Sequence, residues 1–249
     1  RFESHACIPH SNQKHRLMPY FNLPLKLTLI GCTLLTLQST ATAIANKGEL
    51  LLSNHFEGTL TRHENVGIKD GWQRRISYGE WTAQQDGSVI AVNVPEHGHG
   101  PVMTFIAPIR DIIIECEFKL PKKEGPDRHF RIFLDHADYR GHTIQTTANV
   151  SSTFRPAGLS LRHLKKSKDG GTLKDIEFGL EDLALRGDTW YKMKLEIFRN
   201  RVRTTVNGVT IEGHHSALDV EKSKIGLNPG KAGGSIRNFR AWAAVANDQ

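Results

Sequence analysis

Over residues 190–198 (WYKMKLEIF) polar and apolar positions alternate: Trp190, Lys192, Lys194 and Glu196 fall on one face, Tyr191, Met193, Leu195 and Ile197 on the other. A period of two is that of a half-buried strand. Arg199 and Asn200 turn the chain into a second strand over residues 202–206. Asn207-Gly208 turns it again into residues 209–212, because both tolerate the positive φ of a two-residue hairpin. The expected product is a three-stranded antiparallel meander, followed by short strands over 224–227 and 235–242.

Upstream the same signals recur. Residues 80–94 break at Asp86-Gly87, a hairpin signal with alternating flanks. Strands are expected over 101–106, 112–120, 129–135, 143–149 and 159–164. In 112–120, Ile112, Ile114, Cys116 and Phe118 share a face opposite Ile113, Glu115 and Glu117. In 129–135, Phe130, Ile132 and Leu134 point inward, with His129, Arg131, Phe133 and Asp135 outward. Only residues 173–185 admit a helix, and Gly179 makes a loop with a short helix the expectation there. Many short strands without helical periodicity predict an all-β chain: a concanavalin A-like (LamG-like) jelly-roll β-sandwich of two antiparallel sheets.

The first residues read differently. Lys14, Arg16 and Lys26 precede an apolar stretch over 27–37 (LTLIGCTLLTL), then small residues with A-x-A sites ending at Ala43 and Ala45. Residues 1–45 are therefore expected to be an N-terminal extension and secretory signal peptide, with a single domain over 46–249. Anchoring of a lipoprotein through Cys32 is the lesser alternative, because the apolar core would be cut in half. The expectation is a secreted or periplasmic protein without a stable membrane span. Cys7 and Cys32 precede the expected mature start, leaving Cys116 alone, so no intramolecular disulfide is expected there. From Asn46 onward 29 Lys and Arg stand against 25 Asp and Glu, too small an excess for a dedicated nucleic-acid binder.

The order Phe56-Glu57-Gly58, a tryptophan-containing strand ending in Asp86-Gly87, Glu117-Phe118-Lys119-Leu120, Gly187-Asp188-Thr189-Trp190-Tyr191, Val206-Asn207-Gly208 and Ile236-Arg237-Asn238-Phe239-Arg240 resembles the 3-keto-disaccharide hydrolase family. The resemblance spans residues 51–245. It implies a concanavalin A-like jelly roll and an exported hydrolase acting on glycosides oxidised at carbon 3. A ketone there acidifies the proton at carbon 2, so the aglycone leaves by elimination and water is added back. That chemistry requires a base, an acid at the leaving oxygen and a group polarising the carbonyl.

Glu115 and Glu117, two residues apart on one strand face, are about 7 Å apart by strand rise and suit acid and base roles; a solvated strand face explains them equally. Asp135, His136, Asp138 and His142 form the densest titratable cluster, where a carboxylate orients an imidazole, or where turn formers simply collect. The catalytic candidates are Glu117, Asp135 and His142. Arg131, His129, Glu115 and Trp81 are candidates for holding substrate, with Trp81 divided between a sugar-stacking platform and the core. No metal or cofactor is required, although His97 and His99 stand at a spacing that a divalent ion accepts. The expected partner is a carbohydrate or oxidised glycoside. A noncatalytic carbohydrate-binding or adhesion module on the same fold is the competing expectation.

Overall fold

The computed structural model describes residues 43–54, 56, 60, 63–64, 72–122, 127–138, 141–151, 156–165 and 175–247. Residues 1–42 of the expected leader, with both of its cysteines, lie outside them. From Thr42 to Gln249 the chain is one compact unit. Among the described residues no helix is long and apolar enough to cross a membrane.

In chain order the strands are β1 (Asn46–Asn54), β2 (His63–Glu64), β3 (Gln73–Tyr78), β4 (Glu80–Ala83), β5 (Val89–Val92), β6 (Val102–Ile109), β7 (Ile112–Lys119) and β8 (Arg128–His136). They continue as β9 (Gly141–Ser151), β10 (Gly158–Lys165), β11 (Ile176–Glu181), β12 (Trp190–Phe198), β13 (Arg201–Val206), β14 (Val209–His214), β15 (Lys222–Asn228) and β16 (Gly234–Val245). Two antiparallel sheets result. Sheet I runs β14-β13-β12-β7-β16-β5-β4, with β1 also paired to β16. Sheet II runs β11-β10-β9-β8-β15-β6-β3-β2.

The meander forms as its alternation predicts. Met193 to Phe198 pair with Val206 to Arg201, and Val206 pairs with Val209 across Asn207 (φ 48°) and Gly208 (φ 85°). Both turn residues sit in the left-handed region that a tight hairpin demands.

The core lies between the sheets, built from alternate residues of each strand. Phe118 of sheet I stacks on Phe130 of sheet II with ring centroids 4.7 Å apart, and Phe105 stacks on Phe239 at 4.8 Å. All four rings are buried. Each such side chain contributes on the order of 1.5–3 kcal/mol by leaving water. A polar pair crosses this layer: the hydroxyls of Thr146 and Thr204 are 2.9 Å apart, and Thr204 Oγ1 also donates to the Lys194 carbonyl at 3.3 Å. Cys116 is buried and free, its thiol pushed up first by burial and then by the charges of Glu117 and Glu115. It stays protonated and unreactive.

Two expectations change here. The segment read as loop or short helix contains β11, which extends sheet II by pairing with β10. Its Gly179 is not a helix breaker: a Cβ there would stand 2.8 Å from Ile211 Cγ2, so the residue allows close approach of the edge strands. The segment over residues 46–54, with no assigned element, is β1, whose bulged pairing with β16 interrupts the period that sequence patterning relies on.

Candidate functional site

An open cavity of about 440 Å³ lies on the outer face of sheet II. Strand register explains its composition. On β8 the residues between Phe130, Ile132 and Leu134 face away from the core, which places Arg131, Phe133 and Asp135 outward. Neighbouring strands align side chains with each. Asn228, Arg131 and Thr147 form one cross-strand row. Arg75, Thr104, Gly226, Phe133 and Gln145 form the next, and Lys224, Asp135 and His142 the third.

The middle row supplies a floor. The Phe133 ring lies directly over Gly226, where any Cβ would collide with it. Glycine at 226 is therefore what lets an outward-facing phenylalanine lie flat on the sheet, outside the core cluster and 6% exposed at the bottom of the cavity. The His142 ring meets Phe133 at 4.4 Å between centroids.

A β-bulge makes the third row. Leu134 pairs with Ile144, but Asp135 pairs with His142, so Thr143 is an extra residue that brings His142 opposite Asp135. The Thr143 carbonyl accepts a hydrogen bond from His163 Nδ1 at 2.6 Å, which satisfies the backbone acceptor at the bulge. His142 Nδ1 lies 2.6 Å from Asp135 Oδ1, and Lys224 Nζ lies 2.8 Å from Oδ2. Burial works to raise the Asp135 pKa, but the hydrogen bonds and charges of His142 and Lys224 hold it below the ordinary carboxylate value. Asp135 is therefore an ionised acceptor with both oxygens engaged, a poor proton acceptor in its own right. Its evident work is to orient His142, whose Nε2 remains for a ligand or a proton.

Arg131 lines the other end. Its Nε donates to Thr147 Oγ1 at 3.3 Å. Burial, and then the neighbouring charge of Arg162, lowers its pKa to about 10, which leaves it charged at neutral pH. Asn228 stands beside it. Its Oδ1 accepts from Gly230 N at 2.8 Å and from His129 Nε2 at 3.2 Å, leaving the amide Nδ2 as the group available to the cavity. Tyr78 and His99 stack at 4.7 Å to form part of the wall.

Of the residues proposed from sequence, Arg131, Asp135 and His142 meet in this cavity. His129 does not line it. It is buried behind Asn228, and burial, followed by the charge of Arg131, lowers its pKa to about 4, so it serves as a neutral brace. Glu117 and Glu115 do not join the cluster. They project from β7 in sheet I, on the opposite outer face of the sandwich, because their strand belongs to the other layer. Glu117 Oε2 accepts from Arg237 Nε at 2.6 Å. Glu115 pairs with Lys47 at 2.8 Å and Lys192 at 3.3 Å, and these cations outweigh the burial that would raise its pKa and leave it lowered. Trp81 is no platform. It packs in the core between the sheets, with Nε1 donating to the Tyr78 carbonyl at 3.0 Å. Trp72 is also buried in the core.

His97 and His99 are engaged locally, through Gly79 N and the Gly100 carbonyl respectively. Among the described residues no group of three or more His, Cys, Asp or Glu side chains is arranged to hold a metal ion.

Sequence reading missed Arg75, Thr104, Lys224 and Asn228, and it noted Phe133 without a role. A signal existed in KSKIGLN, where Ile225 and Leu227 alternate with Lys224, Gly226 and Asn228. A glycine in mid-strand marks a close approach by another group.

Fold and cavity together define a galectin-like jelly-roll sandwich with a polar, aromatic-floored depression on one sheet. Among solved structures, a Bacillus subtilis protein of unknown function with a galectin-like fold is 19% identical, covering 82% of this chain and 100% of its own, with a TM-score of 0.50. The carbohydrate binding module CBM66 from Bacillus subtilis is 10% identical over 68% of this chain and 95% of that one, with a TM-score of 0.48. A homodimeric agglutinin from chicken liver is 8% identical over 57% and 97%, with a TM-score of 0.41. At 19% identity the likeness to the first of these speaks to the fold alone. No family model matches the chain, and no curated protein does.

Proposed function

We propose that this protein recognises carbohydrate in the cavity on sheet II. The observation that carries the reading is the Phe133 ring seated flat on Gly226, with Arg131 and Asn228 on one side and the Asp135–His142–Lys224 group on the other. A pyranose presents a C–H face that packs on an aromatic ring and a rim of hydroxyls that needs fixed donors and acceptors. The cavity supplies donors from Arg131, Asn228 and Lys224, and a two-way group in His142. The site is held before any ligand arrives, since Asp135, Asn228 and Arg131 are each anchored by neighbours on their own sheet. Isothermal titration against a panel of oligosaccharides tests the reading. Binding that is abolished by Phe133→Ala supports it; saturable binding indifferent to that change removes the sheet II cavity from consideration.

A second reading, hydrolysis of 3-keto-glycosides, rests on one feature. The Asp135–His142 pair leaves an oriented imidazole nitrogen in the cavity, the arrangement expected of a general base. Arg131 or Lys224 would polarise the keto oxygen. Glu117, on the far side of the sandwich, takes no part. Release of 3-keto sugar from oxidised glycosides, lost in His142→Ala, would move the assignment from recognition to catalysis.

The setting we propose is extracytoplasmic, from the leader pattern over residues 1–45. Ile44 and Ala45 are buried, and Ala45 packs against Ile113 and Ala244. That burial favours processing after Ala43 over Ala45. Mass determination of the exported chain tests both the export and the cut.

A further inference from the structure

Charge in the sheet II cavity is unbalanced. Arg75, Arg131 and Lys224 line it, and Asp135 is the one acid among its lining residues. That acid is fully engaged, Oδ1 with His142 and Oδ2 with Lys224, so none of its charge is directed at an arginine. Among the described residues no carboxylate lies within ion-pair distance of Arg131 or Arg75. Several arginines elsewhere are matched: Arg110 with Asp219 at 2.9 Å, Arg162 with Asp175 at 3.6 Å, Arg203 with Glu212, and Arg237 with Glu117. Arg131 is the more telling of the two, because it is half-buried, sits beside the like charge of Arg162 and has only its Nε tied, to Thr147. Withdrawing a guanidinium from water with no carboxylate in contact, only the more distant charge of Asp127, is costly, and an anion arriving at its two terminal nitrogens reduces that cost. A guanidinium fork accepts a carboxylate or sulfate through two parallel hydrogen bonds, and the Asn228 amide adds a third donor.

We propose that the ligand is an acidic saccharide whose carboxylate or sulfate group sits on Arg131 and Asn228, with Arg75 adding long-range attraction and the sugar ring resting on Phe133. This rests on the carbohydrate reading and narrows it to a substrate class. Neutral glycans would leave Arg131 without a contacting anion and bind weakly.

Three oligosaccharide sets of equal length form the test: uronic-acid oligomers, sulfated oligomers and neutral oligomers, each titrated calorimetrically against the chain from Ile44 to Gln249 at low and high salt. The expected result is that at least one acidic set binds tenfold or more tightly than the neutral set and weakens as salt rises. Arg131→Gln is expected to erase that preference, and Arg75→Gln, at an exposed position, to reduce acidic binding several-fold while leaving the melting temperature unchanged. Arg237→Gln removes an equal charge on the other sheet and is expected to change neither. The uronate and sulfate arms separate the two sources of the anion. Equal binding of neutral and acidic sets, or an acidic preference that survives in both Arg131→Gln and Arg75→Gln, overturns the proposal and leaves carbohydrate recognition standing. No binding of any set overturns both.

Discussion

The two outer faces of the sandwich carry charges at the same strand spacing and use them in opposite ways. On sheet I the charges of β7 itself are matched: Glu117 with Arg237, Glu115 with Lys47 and Lys192, and Lys119 with Asp188. The cations are also stacked on aromatics, Arg237 at 4.2 Å from the Trp190 ring centre and Lys47 at 3.8 Å from that of Trp242. The cavity there is small, about 190 Å³. On sheet II the cavity is more than twice as large, its floor is a phenylalanine, and its arginines lack carboxylate partners. Charges that already neutralise one another have nothing to offer a ligand. Whether a polar strand face is structural or functional is therefore decided by what it leaves unpaired, not by how many charges it holds.

The largest predicted effect comes from His129, the brace behind the sheet II cavity. Its folded pKa of about 4 lies below the 6.5 of an unfolded histidine. The unfolded chain thus binds a proton that the native chain refuses, and native stability falls as pH drops from about 6.5 to about 4. The slope approaches about 1.4 kcal/mol per pH unit inside that window and vanishes above it. Asp135, with its lowered pKa, begins to cost stability only below the ordinary carboxylate range, so the two contributions separate. Thermal melts of the wild type and His129→Gln over pH 4–7.5 measure this: the variant should show the flatter curve. Equal slopes would mean that His129 titrates freely and that the Asn228 support is loose.

Next in size is Gly226→Ala. Its Cβ enters the space of the Phe133 ring, which must swing off the sheet. Overpacking of this kind costs about 1–3 kcal/mol, and saccharide affinity should fall at least tenfold because the floor is gone. Phe133→Leu added to Gly226→Ala should recover stability without recovering affinity, separating the platform from its packing. Retained affinity in Gly226→Ala would show that the ring is incidental and would erase the contrast between the faces.

The sequence made the fold legible and the site only partly so, for a physical reason. Inward and outward are written into alternation: Tyr191, Met193, Leu195 and Ile197 take the core face that their period demands, and so do Phe130, Ile132 and Leu134. Alternation also turned Arg131 and Asp135 outward. It does not say which sheet a strand joins. Glu117 and Asp135 look equivalent along the chain, yet β7 and β8 belong to different layers. Bulges were equally invisible, since the approach of His142 to Asp135 depends on one extra residue, Thr143, that no local pattern marks. Trp81 failed as a platform because a tryptophan on a short edge strand reads the same whether it turns toward sugar or toward the core.

Glu117→Gln tests the other face. Glu117 and Arg237 are partly exposed, so the ion pair is worth about 0–1 kcal/mol. The loss should be within that range, with saccharide affinity unchanged. A collapse of affinity or of turnover would place chemistry on sheet I and overturn the comparison.

The smallest effect belongs to Lys192→Gln. The lysine side chain is 65% exposed and is the second cation on Glu115, which keeps Lys47 at 2.8 Å. Removing an exposed partner from a redundant pair falls within about 0.5 kcal/mol. Chemical denaturation should resolve no change in midpoint, and binding of acidic saccharide should stay at the wild-type level at both low and high salt. The value of the variant is that it removes a positive charge, as Arg75→Gln does, from the opposite face. If acidic binding fell equally in both, overall charge rather than the sheet II arginines would be drawing the ligand, and the unmatched guanidinium of Arg131 would lose its standing as a recognition element.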